Sequence, residues 1–305
     1  MNIKLKASGW VLLGGLIFLY LPMLILVLYS FNESRLVTVW AGFSTQWYGE
    51  LFQDEQILEA VWISLRIAFW SACMAVILGT MAAFIIARYR NFRGKTSFSS
   101  MITAPLVMPD VITGLSLLLL FVAMANTLGW PAERGMLTIW IAHVTFCTAY
   151  ATVVISSRLR EVDRSVEEAA MDLGATPFKT FFVITVPGIA PAMAAGWLLS
   201  FTLSLDDLVI SSFVSGPGAS TLPMVVFSSV RLGVSPKINA LATLIILAVS
   251  MAAFMTWWVI RRQEQRRKQM LLMDMAEPES ERLPEYPSRK IKSTLRVRVK
   301  EAVTS

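Results

Sequence analysis

The stretch Ser165-Val166-Glu167-Glu168-Ala169-Ala170-Met171-Asp172-Leu173-Gly174-Ala175-Thr176-Pro177-Phe178 is a polar, amphipathic segment in a chain otherwise made of long apolar runs. Ser165 followed three residues later by Glu168 matches a capping box, in which the hydroxyl and the carboxylate satisfy exposed N–H groups at a helix start. A helix is therefore predicted from about Val166. Gly174 is the residue type that tolerates the left-handed backbone ending a helix. Thr176 and Pro177 then supply a cap and a first helical position, which predicts a second short helix through Phe178, Phe181 and Phe182 to Pro187. The linker, about residues 158–187, reads as helix, sharp turn, helix. Such an element presents an apolar knob to a groove in another protein.

The sequence on either side of this linker belongs in lipid. The 305 residues are 55% hydrophobic and only 16% charged, and one soluble core cannot hide runs of that length. A spanning helix needs about 20 mainly apolar residues. Six stretches qualify, near 9–30, 62–87, 98–124, 136–157, 188–212 and 238–260, so the fold class is an all-α polytopic membrane protein with six transmembrane helices. The first run follows Lys4 and Lys6 as a signal peptide would, but it leads into Tyr29-Ser30-Phe31-Asn32 rather than a small-residue cleavage site, and reads as a retained span. Cys73 and Cys147 fall inside spans as small packing residues, which implies neither a disulfide framework nor a cysteine metal site.

Basic residues resist translocation. An inside N-terminus leaves only Arg35, Arg66, Arg134, Arg231 and Lys237 of the 27 Lys and Arg residues outside, and gathers Arg88, Arg90, Arg93 and Lys95 in one short inner loop. Both termini are then cytoplasmic, and so is the linker. The chain divides into a membrane domain over 1–262 and a basic tail over 263–305 that is expected to lack order. The segment from Arg261 onward carries most of the net +6 charge. Arg261, Arg262, Arg266, Arg267 and Lys268 meet anionic headgroups directly after the last span. The Pro- and Glu-containing part from Glu277 to Pro287 cannot bury enough apolar surface to fold. No aromatic residues interleave the tail's charges, which argues against nucleic acid.

Five titratable side chains other than Cys and Tyr fall inside the spans: Arg66, Asp110, His143, Asp206 and Asp207. Buried acids in spans usually face a cavity or a partner and mark substrate pathways. Asp110 follows Pro105 and Pro109, which loosen the helix, so a bend there turns its carboxylate toward a pore or leaves it capping a broken helix. Asp206 and Asp207 lie late in span five, before Gly216-Pro217-Gly218, where they form an outer gate or reach interfacial water. Arg66 reads as a snorkelling anchor or an ion-pair partner. His143 reads as an interhelical hydrogen-bonding residue, with no second His to make a metal pair. Ala192, Gly196, Ser200 and Ser204 put a small residue at every fourth position of span five, allowing close helix approach either at a seam with a second subunit or within this chain. Trp197 and Phe201 offer aromatic faces to an amine or to packing.

The chain lacks a nucleotide site of its own. Gly94-Lys95-Thr96 mimics the end of a phosphate-cradling loop, but the earlier glycine is replaced by Tyr89. A secondary transporter would show inverted repeats, and an intramembrane enzyme a catalytic pair; neither pattern is present.

Glu168-Ala169-Ala170, Gly174 and Ile184-Thr185-Val186-Pro187 resemble the EAA loop of ABC importer permeases, with Val186 where that signature has Leu. The stretches Ala104-Pro105-Leu106-Val107-Met108-Pro109-Asp110-Val111-Ile112-Thr113-Gly114 and Ser204-Leu205-Asp206-Asp207-Leu208-Val209-Ile210 are similar to the permeases of bacterial polyamine importers. Ser215-Gly216-Pro217-Gly218 and Ser228-Ser229-Val230-Arg231 extend that likeness, which covers about residues 10–260 and is strongest to the second inner-membrane permease of putrescine systems. The resemblance implies a type I ABC importer permease fold in the bacterial inner membrane. It implies coupling to ATPases through Glu168, Ala169, Ala170, Gly174, Pro177, Ile184 and Pro187, and a substrate pathway at Asp110, Asp206 and Asp207. It further implies a second permease subunit, two ATPase subunits that hold the ATP and Mg, and a periplasmic polyamine-binding protein, with no cofactor or metal on this chain. The acidic stretch of Glu33, Glu50, Asp54, Glu55 and Glu59 suits the approach of a cation. A secondary transporter of small cations, or an ABC permease for another small solute, is the alternative.

Overall fold

The computed structural model describes residues 2–35, 39–89, 92–233 and 235–276. Its helices are α1 (Asn2–Tyr29), α2 (Gln46–Phe52), α3 (Glu55–Arg88), α4 (Lys95–Val107), α5 (Asp110–Leu128), α6 (Met136–Glu161), α7 (Arg164–Asp172), α8 (Pro177–Thr180), α9 (Val186–Asp206), α10 (Val209–Val214), α11 (Leu222–Leu232) and α12 (Pro236–Ala276). Six stretches are long and apolar enough to cross a membrane: Gly9–Tyr29, Glu55–Arg88, Asp110–Leu128, Met136–Glu161, Pro177–Asp206 and Pro236–Trp258. The expected six spans are therefore present, with two of them redrawn.

The span expected over 98–124 is two helices. Pro109 crowds the backbone of the residue before it and pushes that residue out of the helical region. Met108 accordingly adopts an extended ψ of 136°, ending α4, and α5 restarts at Asp110. Pro105 is carried inside α4. The span expected over 188–212 begins earlier and ends earlier. α8 runs through a π turn at Phe181–Thr185 directly into α9, so the short helix expected to stop at Pro187 is the start of the fifth span. Pro187 has no N–H for the carbonyl four residues back and its ring crowds that carbonyl; the wider π turn just before it accommodates both effects. α9 stops at Asp206, Asp207 takes an extended ψ of 121°, and α10 follows.

The core lies among α3, α6 and α9. Val76 and Ala83 of α3 meet Ala151, Ile155 and Leu159 of α6 and Ile189 of α9 in one cluster. A second cluster joins Ile63, Ile67 and Ala75 to Ile139, Ala142, Phe146 and Cys147, and to Ile210 and Val214 of α10. Small residues set the spacing. A Cβ on Gly79 would lie 2.8 Å from the Ala151 Cβ, too close to fit, while one on Gly196 would make ordinary contact with the Ala151 Cα at 3.7 Å. The small-residue face of α9 therefore packs against α6 of its own chain. Ser200 and Cys147 bond reciprocally, Cys147 Sγ donating to the Ser200 carbonyl at 3.4 Å and Ser200 Oγ to the Cys147 carbonyl at 3.5 Å. Of the two readings open for that face, packing within one subunit describes the structure.

After the first span, Asn32 organises the chain. It is 1% exposed, donates to the Val39 carbonyl, accepts from Ala41 N–H, and receives the Trp47 indole on its own carbonyl at 2.6 Å. α12 continues through Ala276, into the segment expected to lack order, because Gln, Glu, Arg, Lys, Leu and Met extend an existing helix without a new nucleus. In the unit from Thr243 onward, the Arg262 guanidinium lies 3.5 Å over the Trp258 ring and Arg261 5.0 Å over Trp257. Arg90 and the tail beyond Ala276 lie outside the described residues.

Candidate functional site

The linker folds as helix, left-handed turn, helix, but its first cap is not Ser165. Asp163 precedes α7, and its Oδ1 accepts the Ser165 N–H at 2.9 Å. A carboxylate is the stronger acceptor at a positive helix end, and it starts the helix at Arg164 rather than Val166. The same bonds, first the Ser165 amide, hold the exposed Asp163 carboxyl below its usual range. The cap's contribution is therefore present above the ordinary carboxylate pKa and is lost as pH falls through the lowered value. Gly174 sits at φ +87° with no neighbour within 4 Å of a Cβ position. Thr176 accepts from Lys179 N–H at 3.3 Å, with Pro177 opening α8. Leu173 is 89% exposed and Phe178 75%, and Val166, Met171, Phe182 and Val183 are also exposed. Among the described residues nothing covers this apolar surface. Glu168 and Ala169 are exposed on the same element, Ala170 and Ile184 are half-buried, and Pro187 is exposed at the start of α9.

The charged joint is Glu167, which sequence reasoning passed over. Its Oε1 accepts from Arg88 Nη2 at 2.6 Å and from Thr185 Oγ1 at 2.8 Å. One oxygen thus ties α7 to the end of α3 and to the π turn leading into α9. Arg164 adds a second tie, donating to the Ala87 and Arg88 carbonyls at 2.9 and 3.0 Å. The side chains of Arg88 and Glu167 are 9% and 12% exposed, so water screens the pair little.

The acids of the membrane interior fare differently from one another. Asp207 is held from several directions: Oδ1 accepts from Ile210 N–H at 3.2 Å, Oδ2 from Ser211 N–H at 2.7 Å, and Oδ2 lies 3.2 Å from His143 Nε2. It caps α10 and tethers the helix break to α6. His143, fully buried, also meets Ser211 Oγ at 3.0 Å through Nε2 and Ser204 Oγ at 2.6 Å through Nδ1. Since the carboxylate only accepts, Nε2 carries hydrogen; Ser204 then donates to Nδ1 of the neutral ring or accepts from it in the charged one. His143 is the interhelical hydrogen-bonding residue expected, with a carboxylate partner that no nearby sequence position announced. Replacing it by Ala is expected to cost about 3 kcal/mol, from the cavity and from the serines and carboxylate left without partners. Thermal unfolding of the solubilised chain measures this, and an unchanged midpoint would show the network to be idle.

Asp206 and Asp110 are exposed, each at a helix break. α5 packs against α10 so closely that a Cβ on Gly114 would meet the Phe213 ring at 2.8 Å and the Ile210 Cα at 3.3 Å. That contact lies one turn along α5 from Asp110, and on α10 it begins four residues after Asp206. Arg66 is exposed and has no ion pair among the described residues, as a snorkelling anchor would be. Trp197 and Phe201 stack on each other with centroids 5.2 Å apart, and the Trp197 indole donates to Cys73 Sγ at 3.3 Å. In the acidic stretch, Lys237 Nζ lies 3.5 Å from Glu50 and 3.3 Å from Asp54, and Asp54 caps α3, which leaves Glu33, Glu55 and Glu59 without an ion pair among the described residues. Among the described residues no group of His, Cys, Asp and Glu is arranged to hold a metal.

A six-span membrane body thus carries an exposed apolar loop tied to two of its spans. The chain belongs to the family of binding-protein-dependent transport system inner membrane components, whose model matches residues 75–269, and it is accordingly a multi-pass inner-membrane transport subunit rather than an enzyme. It is 68% identical over 259 residues to the putrescine transport system permease protein PotI of Escherichia coli (strain K12), covering 84% of this chain and 92% of that one. It is 42% identical over 243 residues to the spermidine/putrescine transport system permease protein PotC of the same strain, covering 78% and 89%. A crystal structure of a bacterial ABC transporter involved in the import of alginate shares the fold, with a TM-score of 0.64 at 16% identity over 86% of this chain and 96% of that one.

Proposed function

We propose that this chain is the membrane-spanning permease subunit of an ATP-driven importer that moves putrescine from the periplasm to the cytoplasm. The exposed apolar surface of α7 and α8, joined to α3 and α9 through Glu167, is the observation that supports an external motor. Leu173 and Phe178 enter a groove on a cytoplasmic ATPase subunit, beside Glu168, Ala169 and Gly174, and ATP-driven closure of two such subunits moves the spans. The termini and the α7–α8 loop then face the cytoplasm, as the distribution of Lys and Arg requires. ATP and Mg belong to those partners. A second permease completes the pathway, and a periplasmic binding protein delivers the substrate.

The substrate assignment is drawn from the likeness to PotI, and the acids suit it. Asp206 and Asp110 offer uncommitted carboxylates at adjacent helix breaks to a diamine, whose ammonium groups need anionic partners once they leave water. Asp207, locked to His143, fixes the break from behind. Asp206→Asn is expected to reduce putrescine uptake about tenfold without releasing the ATPase subunits, the loss of one charge-assisted contact worth about 1.4 kcal/mol. Full uptake by that variant would remove Asp206 from the path.

The likeness to PotC keeps spermidine in view, and uptake of labelled putrescine in cells lacking the chain, with and without complementation, separates the substrates. Uptake restored by the chain and indifferent to excess unlabelled spermidine supports a putrescine importer. Strong competition widens the range to polyamines, and no restoration removes the substrate assignment.

A further inference from the structure

At the loop end of the membrane body, α3 ends, α4 begins, α6 ends and α7 begins around an open cavity of about 730 Å³. Four cations line it, Arg88, Lys95, Arg160 and Arg164, with two acids, Glu161 and Asp163. Of the acids, Glu161 is matched by Arg158 at 2.9 Å, whereas Asp163 accepts only from neutral Ser165 and keeps its charge. Arg88 is matched by Glu167. Arg164 donates to two neutral carbonyls and forms no ion pair, and Arg160 has neither a hydrogen bond nor an ion pair among the described residues. Two guanidinium groups without an ion-pair partner among the described residues thus gather in one cavity, against the single charge of Asp163.

The cavity's depth decides what can answer them. Arg88 is the last residue of α3 and Arg160 lies in the last turn of α6, both helices long enough to span, and Lys95 opens α4, so the charges gather at the ends of candidate spans. Apolar Ile86 and Val162 form part of the same wall. Phosphate is the acceptor whose geometry suits Arg forks, and at the end of a span, beside an apolar wall, lipid is the molecule that presents it. We propose that this cavity seats the phosphate of an anionic phospholipid, phosphatidylglycerol or cardiolipin, at the surface of the membrane. Basic pockets between spans recognise such headgroups by the same forces. The site needs only that the loop end meets a membrane surface and stands apart from the substrate assignment.

The test purifies the permease with its partner subunits in mild detergent and measures retained phospholipid by mass spectrometry. The wild type is expected to hold phosphatidylglycerol or cardiolipin through washing. Arg160→Gln is expected to retain about fivefold less, the weight of one basic contact at an anionic surface. Arg93→Gln, which removes an exposed charge from the neighbouring loop without touching the cavity, should retain the wild-type amount. Washing with millimolar inorganic phosphate should leave the lipid in place. Equal loss from both variants would reduce the effect to diffuse charge and overturn the site. Displacement of the lipid by inorganic phosphate would assign the cavity to a free anion. Loss of ATPase subunits from Arg160→Gln with lipid retained would assign it to a protein partner.

Discussion

Glu167→Ala is expected to destabilise the solubilised chain by about 3–5 kcal/mol, because it leaves the Arg88 charge buried without a counter-charge. The pair is 2.6 Å long and both side chains are nearly buried, so solvent does little to compensate. Thr185 loses its acceptor at the same time. Replacing both ends of the pair by Met should recover most of that stability, since the cost belongs to the orphaned charge and not to the absence of a bond. The double variant should still transport poorly, because α7 then lacks its charged tie to α3. Thermal unfolding of wild type, single and double variants measures the first effect, and uptake per ATP hydrolysed the second. If the single and double variants unfold together, Arg88 is not a buried charge and the joint is misread.

The second large effect is expected at Gly174. With φ at +87°, a side chain there strains the backbone by about 1–2 kcal/mol, although space around it is open. Gly174→Asp adds a carboxylate beside Leu173 and Phe178, in a surface whose seat on another protein is proposed to be apolar. Burying an unpaired charge at an interface costs several kcal/mol. The turn strain and the charge together should lower uptake at least about a hundredfold, with the chain still inserted at normal levels. Gly174→Ala carries the strain without the charge and should fall in between. Normal uptake by the Asp variant would count against docking through this loop, and loss of the chain from the membrane would show a folding defect instead.

The loop itself was largely legible. Gly174, Thr176 and Pro177 act locally, through backbone conformation and a cap two or three residues away, and the structure has them as the sequence indicates. The first cap was misplaced because Asp163 and Ser165 are both good caps, and only the geometry of the chain leaving α6 chooses between them. Choosing the acid that matters was harder. Glu167 and Glu168 are adjacent in sequence and lie about 100° apart around the helix, so which of them is buried depends on how α7 is rotated against α3.

The same division holds through the membrane body. Six spans, the loosening at Pro109 and the capacity of α9 for close packing follow from the sequence alone, because hydrocarbon thickness and backbone sterics act on consecutive residues, whereas the starts of the third and fifth spans did not. Only the tertiary structure decided that the small face of α9 meets α6 of the same chain, and that His143 closes on Asp207 across 64 positions of sequence. Only it showed Asp207 held by His143 and by the Ile210 and Ser211 amides while Asp206, its neighbour, is exposed. Contacts of that kind depend on the register and rotation of one helix against another. Those are set by the fit of Gly79, Ala151 and Gly196 along the whole length of the interface, which no short stretch of sequence contains.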